Sequence, residues 1–90
     1  MKMKIKEGYL LRTVAGSNIV VPIGEGAIDF SGVITLNEVG AFLWRALEDG
    51  ASKEELVKKL TAEYEVDDAT ASADIDAFIA RLREASLLDD

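Results

Sequence analysis

The apolar positions of the chain change their spacing once, near residue 37. Before that point they fall in short β-branched and aromatic runs: Tyr9-Leu10-Leu11-Arg12-Thr13-Val14, then Ile19-Val20-Val21-Pro22-Ile23, then Val33-Ile34-Thr35-Leu36. Such runs suit extended backbone, and the clusters between them are turn formers: Ala15-Gly16-Ser17-Asn18, Gly24-Glu25-Gly26 and Ser31-Gly32. Three strands are predicted, the first two joined as a hairpin. Pro22 has no amide hydrogen for a ladder and belongs at a strand end or on an outward-facing edge.

From Asn37 onward the spacing becomes three and four residues. Asn37 is a suitable N-cap, Glu38 suits the positive end of a helix dipole, and Gly50 stands where a left-handed residue ends a helix. A first helix is predicted over residues 38–49, with Val39, Phe42, Leu43, Ala46 and Leu47 as its buried stripe and Trp44 beside it, an anchor between helix and sheet. Gly40 inside this helix costs roughly 1 kcal/mol relative to Ala, which points to another group packed close against the backbone. Ser52-Lys53-Glu54-Glu55 is a capping box and starts a second helix, whose inner face is Leu56, Val57, Leu60 and Tyr64. Glu65-Val66-Asp67-Asp68 connects it to a third helix over residues 69–85, with Ala71, Ile75, Phe78, Ile79 and Leu82 inward; residues 86–88 add a short extended tail.

Ninety residues, 49% of them hydrophobic, suffice for one compact domain and are too few for two, so residues 1–90 are read as a single unit. Residues 1–8, with Lys2, Lys4 and Lys6, read as a flexible basic tail. The net charge of −7 sits in the second half: residues 46–90 carry five basic and thirteen acidic side chains, against five and four in residues 1–45. A surface of that sign repels a nucleic-acid duplex. The chain has no His and no Cys, which removes imidazole bases, thiolate nucleophiles, disulfides and the usual zinc ligands. No metal or cofactor is expected. The acidic pairs Glu54-Glu55 and Asp67-Asp68 lie at helix starts, where negative charge is favourable in any case, so an enzyme is not expected either. No apolar run approaches a membrane span or a signal segment, which makes a soluble cytoplasmic protein the expectation.

The string Thr35-Leu36-Asn37-Glu38-Val39-Gly40-Ala41-Phe42-Leu43-Trp44 resembles the start of the first helix in the PqqD family. Further matches are Gly50-Ala51-Ser52-Lys53-Glu54-Glu55-Leu56, residues 60–64 with Val66, and residues 74–88 with their terminal double leucine; with the order of strands before three helices, the similarity covers residues 9–88. Each motif alone is also a capping, turn or core signal, and their order and spacing carry the specificity. The resemblance implies an α+β, winged helix-turn-helix-like fold with a three-stranded antiparallel N-terminal sheet packed on three C-terminal helices. It also implies a non-catalytic recognition element that binds the leader segment of a ribosomally synthesised precursor peptide and presents it to a modifying enzyme, often a radical S-adenosylmethionine protein. Residues 20–27 lengthen the middle of the sheet beyond the shorter pattern of the quinone-cofactor pathway, so the resemblance leaves the particular pathway open, quinone cofactor or other.

In that family the leader lies antiparallel to the third strand and against the third helix. The matching positions are Val33, Ile34, Thr35 and Leu36 for the ladder, Ile75, Ile79 and Leu82 for an apolar wall, and Asp76 and Arg83 for a charge that sets register. Each has a plainer reading beside this one. The strand residues serve a core as well as an edge, and Ile75 and Leu82 read more readily as structure than as contact. Ile79 is the stronger contact candidate, because only one of the neighbours Phe78 and Ile79 can point squarely at the core. Asp76 and Arg83 also read as solvated charges. Two rival readings use the same elements: a winged-helix DNA-binding regulator, which the Asp74 and Asp76 charges disfavour, and a homodimer formed through the open strand edge.

Overall fold

The computed structural model describes residues 2–23 and 34–89. The turns expected at residues 24–26 and 31–32, and the strand position Val33, lie outside them. Described strands are β1 (Lys4–Ile5), β2 (Tyr9–Val14), β3 (Ser17–Pro22), β4 (Ile34–Leu36) and β5 (Leu88–Asp89); the helices are α1 (Glu38–Glu48), α2 (Lys53–Glu63) and α3 (Asp68–Glu84).

β2, β3 and β4 form an antiparallel sheet in that order. The hairpin is tighter than the four turn formers suggest: only Ala15 and Gly16 lie between paired residues, both at positive φ (52° and 81°), while Ser17 and Asn18 already belong to β3. A two-residue loop of this kind matches the natural twist of the strands it joins. Pro22 ends β3 opposite Tyr9, where its missing amide hydrogen costs no central bond.

Each helix starts on the cap expected of it. Asn37 Oδ1 accepts from the Gly40 amide at 2.7 Å. At the start of α2, Ser52 Oγ accepts from the Glu55 amide at 3.2 Å and Glu55 Oε1 from the Ser52 amide at 3.1 Å, a complete capping box. Asp67 Oδ1 accepts from the Thr70 amide at 2.7 Å to open α3.

The core differs from the predicted stripe of α1. Gly40, Ala41, Leu43, Trp44 and Leu47 are buried, whereas Val39, Phe42 and Ala46 are only partly so. Trp44 is wholly enclosed, and Phe42 instead meets Tyr64 edge-on, with ring centroids 5.6 Å apart at 84°. α1 is therefore turned by about one residue toward the sheet. Val20 and Leu36 from the sheet, Leu56 and Leu60 from α2, and Ala71, Ile75, Phe78, Ile79 and Leu82 from α3 complete one contiguous cluster.

The basic N-terminal segment is not a free tail. Met3 exchanges backbone hydrogen bonds with Ala51 at 2.8 and 2.9 Å, and β1 pairs antiparallel with β5, Lys4 opposite Asp89 and Ile5 opposite Leu88. Met3 and Ile5 are buried while Lys2, Lys4 and Lys6 are exposed, so the alternation of lysine and apolar residue is that of a strand with one face inward. Of the residues expected as an extended tail at 86–88, only Leu88 belongs to the partner strand, which it forms with Asp89. This second, two-stranded ribbon ties both ends of the described chain to the helices.

Candidate functional site

β4 stands at the end of the sheet order, with β3 on one side. Which of its backbone groups face outward follows from the ladder. In an antiparallel sheet the N–H and C=O of one residue leave on the same side, alternating along the strand. The Ile23 amide donates to the Gly8 carbonyl at 2.7 Å, so odd-numbered residues of β3 face β2 and even-numbered ones face β4. Val20 and Asn18 then bond with Ile34 and Leu36, and Thr35 turns both backbone groups away from β3. Among the described residues no strand pairs with that outer side.

α3 lines the space beyond. A groove of about 500 Å³ runs between the two elements, walled by Thr35, Leu36 and Asn37 on one side and Asp74, Ala77, Phe78 and Arg81 on the other, with Gly40 and Leu43 at its base. Positions 74, 77, 78 and 81 are three and four apart and form one ridge of the helix. The Arg81 guanidinium reaches across and donates to the Thr35 carbonyl at 3.4 Å, a long bond between exposed groups. Gly40 permits the close approach: a β-carbon there would stand 3.3 Å from both Leu36 Cβ and Asn37 Oδ1, and 3.4 Å from Phe78 Cε1. The close packing that a helical glycine suggested is present, and it shapes the groove.

The predicted contact residues divide sharply. Ile34, Thr35 and Leu36 form β4, with Thr35 exposed and Leu36 buried. Ile75, Ile79 and Leu82 do not form the groove's wall: Ile75 and Leu82 are fully enclosed in the core and Ile79 is 5% exposed. The physical reason is phase. α3 presents one ridge to the core and a neighbouring ridge to the groove beside β4, and Phe78, buried yet lining the groove, stands where the two meet. Asp76 is exposed and held by Lys53 at 2.8 Å, so its charge is already answered within the protein. Arg83 is exposed and does not line the groove. The α3 residues that do line the groove are Asp74, Ala77, Phe78 and Arg81, and their signal in the sequence is the helical spacing of Asp74 and Arg81 around an apolar pair.

Among the described residues no three acidic side chains converge as a metal site would require, and no helix is long and apolar enough to cross a membrane. Two carboxylates are shifted, both at helix caps. Glu55 is held below its usual 4.5, chiefly by the Ser52 backbone hydrogen bond, which outweighs the opposing effect of desolvation, and further by Lys2 at 3.4 Å. Asp67 is held below its usual 3.8 by the Thr70 side chain and backbone. Neither lies in the groove.

An open strand edge above an apolar-based groove, with a helix as its far wall, defines a class of small domain built to hold an extended chain. The chain belongs to the PqqD family: the family described as Coenzyme PQQ synthesis protein D (PqqD) matches residues 19–88. Two solved structures share its fold. TbiB1 in complex with the TbiA(beta) leader peptide is 28% identical, with a TM-score of 0.76 over 96% of this chain and 94% of that one. Lasso peptide synthetase B1 complexed with the leader peptide is 22% identical, with a TM-score of 0.77 over 100% of both chains. No curated protein sequence matches the chain.

Proposed function

We propose that this protein is a leader-peptide recognition module, which captures the leader segment of a ribosomally synthesised precursor by strand addition along the outer side of β4 and presents it to a modifying enzyme. The carrying observation is the juxtaposition of the outward-facing Thr35 backbone groups with the Ala77, Phe78 and Arg81 ridge of α3. The guest's main chain would bond with Thr35. Its inward side chains would lie over Leu36, Gly40 and Phe78. Membership of the PqqD family and the likeness to TbiB1, whose structure holds a leader peptide, support this reading.

The role needs no chemistry from the protein itself. A backbone ladder gives affinity, side-chain pockets give register, and the reaction is left to the partner. A radical S-adenosylmethionine enzyme is one such partner; the likeness to a protein named lasso peptide synthetase B1 rests on the fold alone and leaves the pathway to be assigned by the precursor. The same β4 edge would let a second copy pair with it, so homodimerisation competes with capture. A cytoplasmic site of action fits a module that meets freshly synthesised peptides.

The direct experiment is an amide-shift titration of the full chain with the TbiA(beta) leader peptide and with leaders of candidate precursors. Perturbations at residues 34–36, 77, 78 and 81 are expected. Changes confined to β1, β5 and the chain ends would overturn the proposal.

A further inference from the structure

We infer that Asp74 and Arg81 read the direction of the guest chain, selecting a leader with a basic side chain toward its N-terminal end and an acidic one four residues later, around a central apolar residue. The inference rests on the proposed capture of an extended peptide by β4 and names the chemistry of its recognition.

Both charges line the groove and both are exposed. Lys2 pairs with Glu55 and Lys53 with Asp76, whereas Asp74 and Arg81 have no countercharge among the described residues. Arg81 has only the Thr35 carbonyl, at 3.4 Å, which is a neutral partner at the limit of hydrogen-bond range. The contrast with Asp76, one residue from the groove and saturated by Lys53, separates a charge that serves the fold from two that do not.

Direction follows from placement. Arg81 stands at Thr35, while Phe78 stands beside the position of Gly40, further along the chain from β4. α3 therefore runs counter to the path from β4 into α1, and Asp74 lies at the far end of the groove. A guest antiparallel to β4 passes Asp74 first and Arg81 last. Seven residues of helix put the two charges about 10.5 Å apart along its axis. Residues of a strand on one face recur about every 6.7 Å, so a separation of four residues, about 13 Å, brackets the pair and sets one apolar side chain between them over Phe78. When the guest's amide takes the Thr35 carbonyl, Arg81 is released to meet the guest's carboxylate. The side chain that occupies the empty edge becomes a contact for whatever fills it.

The test is a selection of random 12-residue peptides, displayed on messenger RNA, against the full chain and against Asp74→Arg/Arg81→Asp, with Arg81→Gln as a milder second variant; both positions are exposed, and circular dichroism checks the fold. Wild type is expected to enrich basic-x-apolar-x-acidic segments and the double variant the reverse order. For a single enriched peptide, exchanging its two charges should weaken binding to wild type about tenfold, and the loss should shrink at 1 M salt, where the screening length is about 3 Å. Enriched peptides that shift the Thr35 amide but show no charge order, or the same order on both proteins, would overturn the inference while leaving capture intact. No enrichment on either protein, with the β4 amides unmoved, would instead overturn the capture reading beneath it.

Discussion

Gly40 and Phe78 face each other across a space that a single methyl group would fill: a β-carbon at position 40 would stand 3.4 Å from Phe78 Cε1 and 3.3 Å from Leu36 Cβ. The glycine costs α1 helix propensity, and what it secures is the base of the groove between β4 and α3.

This contact predicts separate effects on stability and binding. Gly40→Ala gains about 1 kcal/mol of helix propensity and loses a similar amount to crowding, so the urea midpoint should move little. Leu36 and Asn37, the nearest groups at 3.3 Å, must give slightly to admit the methyl at the base of the groove, and leader affinity should fall about tenfold. Gly40→Val overpacks the site and should cost about 1–3 kcal/mol in equilibrium unfolding.

The two ends of the chain should matter more than their position suggests. Ile5 is buried and β1 is held by β5 and Ala51, so Ile5→Ala is expected to cost about 2 kcal/mol or more, read as a lower urea midpoint. Lys4→Ala, on the exposed face of the same strand, should leave the midpoint within about 0.5 kcal/mol of wild type.

Much of this architecture is readable from residue pattern. Asn37, Ser52 and Asp67 announce three helix starts because each cap is a local interaction between a side chain and an amide three residues on. The three-stranded sheet is equally local in its signals. What residue spacing does not settle is the phase of a helix against its neighbours. Ile75, Ile79 and Leu82 are as apolar as a binding wall should be, yet they are buried in the core. The wall belongs to Asp74, Ala77, Phe78 and Arg81, one ridge round the helix, and only the position of β4 distinguishes the two. The same uncertainty of phase explains why Trp44 is central while Phe42 is half-buried. β1 is a different case: Met3 and Ile5 alternate with lysines in the pattern of a strand, but two residues of strand carry too little signal to outweigh their charged neighbours.

Acid should loosen the helix caps. The pKa values of Glu55 and Asp67 are lower in the folded chain than their usual 4.5 and 3.8, so each group stabilises the fold above its unfolded pKa and loses that contribution as pH falls through the folded value. Asp67→Asn should therefore be less stable than wild type at neutral pH, and the difference should vanish as the pH is taken below 3.8, measured by urea unfolding across the acid range.

Proline separates the two sides of β4. Thr35 turns its N–H away from β3, so Thr35→Pro removes a donor aimed at the guest and leaves the β3 ladder in place. Leader binding should weaken more than tenfold with the fold retained by circular dichroism. Ile34→Pro removes a hydrogen bond to β3 instead, and should lower stability itself.

The outward backbone of Thr35 is the point on which capture turns, and its amide can be followed directly by hydrogen exchange in the full chain with and without a bound leader. Strand addition predicts that this amide exchanges freely alone and becomes protected together with its guest. A leader that binds while the Thr35 amide exchanges as fast as before would contradict the account.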